Sequence, residues 1–427
     1  MIPRRGRSER RSVGELVRKH RPDYQIVVFV GVLLLIGLIV LYAISPARVE
    51  LLNTNDGATL DQTHFMQRQL LYLVIGITAF AVAAAVPLKM WQKYASKLII
   101  AALGLCTLLV ILGAFSVPLA LCTGGACRWF NLGFTTFQPA EFVKFGMLLF
   151  TAGFLAHKVQ AGKVNDVNET LIPLGILVAV ASVFIIGFQK DMGTGLALLG
   201  IVSSMLFVAG LNKKNGILVG VALVACSVLF IVIAPHRLER VTTFIGGDSA
   251  GDARGSSYHI NQAKIALGTG GLFGLGLGKN VQAFGYLPEA PNDSIFVVMG
   301  ESFGFFGLVA ILLFISALLL RLLSILDRTQ DQTSRLIIAG VFGWLATHSL
   351  LNIGAMVGLV PLTGITLPLL SFGGTSLVFI MVALGVVFHI SRYTVHGKII
   401  DNESEKTTSP TSGGRLWRSR HTTTTRR

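Results

Sequence analysis

The sequence places one carboxylate, Asp293, where a polar loop gives way to a long apolar segment. Pro288 and Pro291 stiffen the approach to this residue and so restrict where its side chain points. An acidic side chain at the start of a membrane-length segment is costly unless it is paired or used in function. Two interpretations stay open: a general base for a reaction, or a helix N-terminal residue, where aspartate is favourable. Glu289 is the next candidate, although the intervening Pro291 argues against a shared helical face.

Further charged residues lie in or beside other apolar segments. Glu141 and Lys144 are three residues apart and therefore share one face of a helix. Inside a membrane such a pair can neutralise itself while facing the bundle interior, or it can take part in function, and both interpretations stay open. Asp191 adds a carboxylate at the end of another apolar segment, where an interfacial role competes with a functional one. We expect His348 and His389 to pack between helices, since no metal-ligand spacing links them.

The elements that must position these side chains are membrane-spanning helices. Hydrophobic residues make up 52% of the 427 residues and charged residues 13%, against roughly a quarter charged in soluble domains. The hydrophobic residues occur in runs of about twenty, the length of a helix that crosses a bilayer. We predict an all-α polytopic membrane protein with ten spans, at about 26–44, 69–87, 97–117, 138–156, 170–188, 194–211, 215–234, 294–320, 336–357 and 368–390.

The distribution of Lys and Arg predicts the orientation of these spans. Nine of these residues lie in the links 88–96, 157–169, 212–214 and 321–335, whereas the short links on the other side hold Arg48, Arg68, Arg128 and Lys190. By the positive-inside rule the first set of links and both chain ends are cytoplasmic. The net charge of +15 comes largely from the tails and links, which argues against a nucleic-acid partner. The predicted organisation is a basic disordered tail (1–25), helices 1–7 (26–234), a large extracytoplasmic loop (235–293), helices 8–10 (294–392) and a second basic tail (393–427).

Six glycines between Gly268 and Gly278 resemble a nucleotide-binding loop only superficially. Their spacing matches neither a dinucleotide fingerprint nor a P-loop, and nucleoside triphosphates are absent outside the cell. We expect a close-packed or re-entrant segment in which backbones approach each other. An enzyme on that side needs a donor that arrives activated, such as a lipid-linked sugar diphosphate, together with a base and cations. The candidate cations for the diphosphate are Arg128, Arg237, Arg240, Lys264 and Lys279.

Cys122 and Cys127 enclose Thr-Gly-Gly-Ala in a short link on the predicted outer side. Oxidation is permitted there and the two glycines allow a tight loop to close, so we predict a disulfide. Two reduced thiols are the alternative, because such short loops often carry strain. Cys106 and Cys226 lie in apolar runs, where we expect them to fill space in the core.

Several different short motifs follow one another along the chain. They are Arg128-Trp129 to Gly133, Gln138-Pro139-Ala140-Glu141 with Lys144, Asp191-Met192-Gly193-Thr194, Gly270-Gly271 with Gly276 and Gly278, Tyr286 to Ala290 with Asp293, Gly300-Glu301 with Gly304, Asn352-Ile353-Gly354, Gly358 to Gly364, and Leu367 to Ser376 with Ser371. Together they resemble the SEDS family (shape, elongation, division and sporulation) of membrane peptidoglycan glycosyltransferases. Tyr-Leu-Pro-Glu-Ala before Asp293 and the extended basic tails look more like the division branch (FtsW-like) than the elongation branch (RodA-like).

The resemblance implies a ten-helix inverting enzyme of the bacterial cytoplasmic membrane. Such an enzyme polymerises lipid II at the outer face, at the division septum, and releases undecaprenyl diphosphate. Asp293 matches the essential acid of the family and would activate the acceptor 4-hydroxyl, alone or with a divalent cation (Mg²⁺ or Mn²⁺) but without a nucleotide. The implied partners are a class B penicillin-binding protein, which is a transpeptidase, and other division proteins. Supporting or substrate-binding roles fall to Glu289, Glu141, Lys144, Arg128, Asp191, Lys264, Lys279, Glu301, Ser371 and Ser376.

The sequence departs from the family pattern around three of its acids. Pro291-Asn292-Asp293-Ser294 replaces His-Thr-Asp-Phe, Ser302 replaces the second acid of a Glu-Glu pair, and Lys190 replaces the proline of Gln-Pro-Asp. These changes bear on substrate detail, metal use and rate more than on the class of reaction. Two other functions stay open: a lipid II flippase that uses charged residues inside the bundle, and a non-catalytic scaffold of the division complex.

Overall fold

Each of the ten predicted spans contains a helix in a computed structural model of the chain. The structure describes residues 21–56, 59–123, 125–133, 135–232 and 256–394. The helices are α1 (Tyr24–Asp56), α2 (His64–Ala85), α3 (Leu88–Ala114), α4 (Pro139–Gln160), α5 (Ile172–Ser182), α6 (Met192–Val208), α7 (Lys213–Val232), α8 (Ser256–Gly270), α9 (Ile295–Arg328), α10 (Gln332–Met356) and α11 (Gly374–Ile390). Most of both predicted tails, and residues 233–255 with Arg237 and Arg240, lie outside the described residues.

The helices confirm a polytopic helical membrane protein. Within the described ranges, eight helical segments are long and apolar enough to cross a membrane. One of them joins α5 to the π-helical turns before and after it, Val167–Leu171 and Val183–Phe188. α6 is shorter, at 17 residues, so the count of ten spans stays a prediction.

Several predicted boundaries differ from the structure, and the largest shifts are the end of α1, at Asp56 instead of 44, and the start of α3, at Leu88 instead of 97. α9 continues to Arg328, so Arg321 lies in a helix rather than in a link. Its Nε donates a hydrogen bond to Asp23 (2.6 Å), which stabilises this last part of the helix. α11 begins at Gly374 and not near Pro368, because Leu369 adopts a left-handed conformation (φ 66°) that a helix cannot contain.

The core of the bundle is formed by α4, α10 and α11. More than half of the residues in the most apolar part of each are buried. α3 packs against α4, α6 against α10, and α2 against α11, so the central helices have protein on several sides. Such burial explains why polar residues on these three helices are tolerated at membrane depth.

A small antiparallel sheet, which an all-α prediction does not include, lies between α3 and α4. Strand β1 (Ala120–Thr123) pairs with β2 (Ala126–Asn131), and β2 pairs with β3 (Thr136–Phe137). Cys122 and Cys127 face each other across the hairpin and form a disulfide. The turn contains Gly125 with φ 70°, a conformation that glycine adopts without strain. The hairpin thereby holds the residues after Cys127 in a fixed place at the end of α3 and α4.

The described part of the predicted long loop contains α8 and a glycine-rich segment that packs against a break in α9. Gly304 has φ 68° and interrupts the helix. The glycine-rich segment supplies replacement hydrogen bonds, one of which runs from Leu275 N to Glu301 O (2.9 Å). A side chain at Gly270 would collide with the Gly300 carbonyl oxygen. The expectation of a close-packed glycine segment is therefore met, and irregular backbone is tolerated here because protein surrounds it.

Candidate active site

A cavity of about 510 Å³ lies at one end of the bundle, where four helices begin. This volume falls within the range of small-molecule binding sites. Residues at the starts of α4, α6, α9 and α11 border it, namely Gln138, Asp191, Asp293 and Gly373. The remaining wall comes from α2, α10, strands β1 to β3, the loop before α9 and the segment before α11.

Part of the cavity wall is positively charged, although the carboxylates of Glu141, Asp191, Glu289 and Asp293 border the cavity as well. Each helix N-terminus carries partial positive charge from its unpaired N–H groups. Arg68 and Arg128 also border the cavity. Phosphate groups bind readily where helix N-termini and arginine side chains converge.

Backbone carbonyl groups hold the Arg128 side chain in place. Its Nε donates to the Gln189 carbonyl oxygen (2.9 Å) and its Nη2 to the Lys190 carbonyl oxygen (3.0 Å). Its guanidinium lies 5.9 Å from the ring of Trp129. Among the residues that the structure describes, no carboxylate pairs with it. The guanidinium is thus oriented without being neutralised, as a diphosphate-binding residue requires.

Asp293 lies just before α9 rather than at its N-cap. Ser294 occupies the N-cap position. The Ser294 hydroxyl donates to the Pro288 carbonyl oxygen (2.9 Å) and lies 2.6 Å from Nε2 of His259. The Asp293 carbonyl oxygen accepts a hydrogen bond from Asn352 Nδ2 on α10 (2.7 Å). These contacts place Asp293 at the cavity and weaken the interpretation of this residue as a helix cap.

Glu289 also borders the cavity and is exposed. Its carboxylate accepts a hydrogen bond from Asn292 Nδ2, and its carbonyl oxygen accepts one from Asn292 N (3.0 Å). Its φ of 49° shows a left-handed turn between the two prolines. Glu289 therefore shapes the turn that leads to Asp293, while its side chain stays within reach of the cavity.

Glu141 and Lys144 form a buried ion pair of 2.8 Å on α4. Glu141 borders the cavity, whereas Lys144 lies behind it and is fully buried. The Lys144 Nζ lies 3.0 Å from Nε2 of His348 and 4.8 Å from the ring centre of Trp344. Because an ammonium group can only donate, Nε2 of His348 accepts, and its proton is on Nδ1, which points at the Thr366 carbonyl oxygen (3.4 Å). The expectation that His348 only packs between helices was incomplete, since it also borders the cavity.

Asp191 caps α6 and borders the cavity as well. Its carboxylate accepts hydrogen bonds from Thr194 N (2.9 Å) and Thr194 Oγ1 (2.8 Å). Gln138 Nε2 donates a third (3.0 Å) and links the starts of α4 and α6. These hydrogen bonds show that Asp191 has a structural role, because they hold the N-termini of α4 and α6 together. His389, by comparison, is satisfied by the Ala84 carbonyl oxygen (2.9 Å), as expected of a packing residue.

Besides Lys144, four predicted site residues do not border the cavity. Lys264 and Lys279 are exposed elsewhere, which leaves them without a visible diphosphate role. Glu301 is buried and accepts hydrogen bonds from the backbone N–H groups of Val281 (2.7 Å) and Gln282 (3.0 Å). Ser371 Oγ accepts a hydrogen bond from Leu367 N (2.8 Å) within the turn before α11. Glu301 and Ser371 thus stabilise segments that surround the site.

Several residues of the site were not predicted individually. Tyr72 borders the cavity, and its hydroxyl accepts a hydrogen bond from Thr135 Oγ1 (2.9 Å). Arg68 was interpreted only as a topogenic charge. Asn352 donates to both the Asp293 and the Ile365 carbonyl oxygens (2.7 Å each). An asparagine inside an apolar helix was the signal that pointed to such a role.

Comparison with known proteins agrees with this architecture. The family model of cell cycle proteins of the FtsW, RodA and SpoVE type matches residues 24–396. The chain is 35% identical over 378 residues to stage V sporulation protein E of Bacillus subtilis (strain 168), with 88% of this chain and 99% of that protein covered. It is 34% identical over 331 residues to a probable peptidoglycan glycosyltransferase FtsW of Aliivibrio salmonicida (strain LFI1238), with 77% and 80% covered.

Solved structures share the fold over most of its length. One is a chain of a peptidoglycan synthase complex that coordinates polymerisation and crosslinking, with a TM-score of 0.66, 25% identity, and coverage of 87% of this chain and 98% of that one. Another is the rod shape determining protein RodA of Thermus thermophilus, with a TM-score of 0.62, 25% identity and coverage of 87% and 97%. The fold and the relatives define an integral membrane glycosyltransferase. The chain belongs to the SEDS family of FtsW, RodA and SpoVE cell cycle proteins.

Proposed function

We propose that this glycosyltransferase polymerises lipid II into peptidoglycan strands at the outer face of the cytoplasmic membrane during cell division. The observation that carries the proposal is a single cavity that brings Asp293 together with Arg128 and four helix N-termini. A base for the acceptor and a positive wall for the leaving diphosphate are the two requirements of transfer from a lipid-linked sugar diphosphate. The relatives named as peptidoglycan glycosyltransferases support the choice of substrate.

In this mechanism Asp293 accepts the proton of the acceptor sugar's 4-hydroxyl. The acceptor oxygen forms a bond to the anomeric carbon of the donor while the bond from that carbon to the diphosphate oxygen breaks. Attack from the opposite face inverts the anomeric configuration. Arg128 and Arg68, with the helix N-termini, stabilise the negative charge of the departing undecaprenyl diphosphate.

We propose that a divalent cation binds only together with the substrate, whose phosphate oxygens would complete its ligands. In the part of the chain that the structure describes, no three His, Cys, Asp or Glu side chains are grouped to hold a metal ion. Mg²⁺ at phosphate sites, however, is commonly held by one or two carboxylates plus the phosphate oxygens. Asp293 and Glu289, which both border the cavity, fit that pattern. A bound Mg²⁺ or Mn²⁺ would add positive charge beside the leaving diphosphate.

The proposed partner is a class B penicillin-binding protein at the division septum. Supporting this, a structural relative is a chain of a complex that couples polymerisation to crosslinking. We further propose that both chain ends are cytoplasmic, on the basis of the Lys and Arg distribution. The cavity then opens on the outer face, where the acceptor strand is present.

The substitution Asp293→Asn tests the mechanism. It preserves size and polarity but removes the proton-accepting carboxylate. We expect glycan-chain formation from lipid II by the purified protein to fall by about 10²-fold or more, as for loss of a general base. Wild type and variant are compared at matched thermal stability in detergent. Near-wild-type polymerisation by the variant would remove Asp293 from the mechanism and leave Glu289 as the next candidate.

The same assay separates the enzyme from the two other functions. A flippase has no activity in detergent, where no second leaflet exists, and a scaffold forms no glycan chains. The buried position of Lys144, behind the cavity and paired with Glu141, gives a charge-moving transport cycle little support.

A further inference from the structure

Two side-chain oxygens beside the cavity are buried without a hydrogen-bond partner among the described residues. They are Oε2 of Glu141 and Oγ of Ser376. Glu141 is 3% exposed and Ser376 is 9% exposed. Buried polar atoms in folded proteins are nearly always hydrogen-bonded, to protein, to water or to a ligand. The two residues belong to different helices, α4 and α11, yet both border the cavity.

We propose that Glu141 Oε2 and Ser376 Oγ form a subsite that binds an uncharged hydrogen-bond donor on the saccharide of the substrate. An acetamido N–H or a sugar hydroxyl has this chemistry. The inference rests on the proposed function, because it assigns part of the substrate to part of the same cavity. Such a donor would supply the hydrogen bond that both oxygens lack.

The surrounding charges select a neutral group over a cation or a phosphate. Glu141 Oε1 is 2.8 Å from Lys144 Nζ, so the pair carries no net charge. Lys144 is held in turn by His348 and by the Trp344 ring, and it cannot move away to leave the carboxylate free for a metal ion. A phosphate would face the carboxylate oxygen at close range, which is repulsive. A neutral N–H or O–H donor meets neither penalty.

The backbone around the subsite is fixed before substrate arrives. Thr375 Oγ1 donates to the Thr136 carbonyl oxygen (3.0 Å) and accepts a hydrogen bond from Gln138 N (3.2 Å). These bonds join the first turn of α11 to the start of α4. The helices that carry Ser376 and Glu141 are thus held together, which lowers the entropic cost of binding.

The substitution Ser376→Ala tests the subsite. Its hydroxyl has no partner in the described protein, so a structural role predicts no loss of stability and no change in binding. We expect lipid II to bind about five- to tenfold more weakly to the variant, the effect of one lost hydrogen bond. In initial-rate kinetics KM should rise by the same factor while kcat stays within about twofold. Binding of labelled lipid II to detergent-solubilised protein is the primary readout, because it is independent of polymerisation.

The matched control is Thr151→Val. Thr151 is also a buried residue of α4 whose hydroxyl has no partner among the described residues, but it does not border the cavity. Its replacement should leave lipid II binding unchanged. Equal affinities of wild type and Ser376→Ala would overturn the subsite. If the wild type does not polymerise lipid II but Ser376→Ala still binds it more weakly than the wild type does, the result counts against the proposed reaction and not against the subsite.

A second measurement assigns the bound group to the sugar. A lipid II analogue without its peptide stem is used as a competitive inhibitor, so it need not be polymerised. If the saccharide carries the donor, the inhibition constant rises in Ser376→Ala by the factor found for lipid II. Equal inhibition constants, or no inhibition of the wild type, would place the contact in the peptide and overturn the saccharide assignment.

Discussion

The substitution Lys144→Met removes the cation that pairs with Glu141 and keeps an unbranched side chain that fills most of the same space. Glu141 is 3% exposed, and its Oε1 loses an ion pair of 2.8 Å. The carboxylate must then stay charged in the protein interior or take up a proton. Either outcome has a free-energy cost that the wild-type pair avoids.

The magnitude follows from these two outcomes. Protonating a glutamate at pH 7 costs about 3.7 kcal/mol, which limits the part of the penalty that comes from the unpaired charge. Removing one partner of a buried ion pair typically costs about 3–5 kcal/mol. The methionine recovers part of the packing against Trp344 but not the hydrogen bond to His348. We therefore expect the free energy of unfolding to fall by about 3–4 kcal/mol.

The assay is reversible unfolding by sodium dodecyl sulfate in mixed micelles, followed by circular dichroism. The matched control is the double variant Glu141→Gln with Lys144→Met, in which neither charge remains. Replacing both members of a buried pair is often nearly neutral, so the double variant should lie within about 1–2 kcal/mol of wild type. A Lys144→Met protein within about 1 kcal/mol of wild type would show that the pair is hydrated or differently arranged.

Exchanging the charges of Glu141 and Lys144 tests whether the stability of the pair depends only on its helical spacing or also on the residues around it. Spacing alone favours recovery when Glu141→Lys is combined with Lys144→Glu. In the structure, a carboxylate at position 144 would face the accepting nitrogen of His348 and the negative face of the Trp344 ring. We therefore expect the exchanged pair to be less stable than the neutral double variant in the same unfolding assay. Equal stability of the two would contradict the described surroundings of Lys144.

Two other outcomes concern orientation and the hairpin. A cysteine introduced at Ser249 should react with an impermeant thiol reagent in intact cells, whereas one at Ser404 should not, because Lys and Arg predict a cytoplasmic C-terminal tail. Both positions lie outside the described residues, and the opposite labelling pattern would show that the orientation is wrong. Mass spectrometry of protein alkylated without reductant should find Cys122 joined to Cys127. Two alkylated thiols at these positions would contradict the disulfide.

The sequence predicted the existence of the helices better than their ends. Membrane-length apolar runs depend only on the local chain, so every predicted span coincides with a helix. Ends depend on contacts with distant residues. The ion pair from Arg321 to Asp23, 298 residues away, accompanies the extension of α9, and no local pattern indicates it.

The same distinction applies to the site. Residue type and spacing identified Asp293, Glu141 and Arg128, all of which border the cavity. Charge alone equally favoured Lys264 and Lys279, which the fold places elsewhere. Which charged residues border the cavity depends on tertiary packing, and residue charge and spacing in the sequence do not reveal that packing.

The contacts that position Asp293 show why its substitution tests chemistry rather than folding. Asn352 binds the Asp293 carbonyl oxygen, and the neighbouring Ser294 hydroxyl binds the Pro288 carbonyl oxygen. These two anchors involve the backbone carbonyl oxygens of Asp293 and Pro288. An asparagine at 293 keeps the backbone atoms of both anchors. A large loss of polymerisation in Asp293→Asn, at unchanged stability, then reports on the missing proton acceptor and not on a displaced loop.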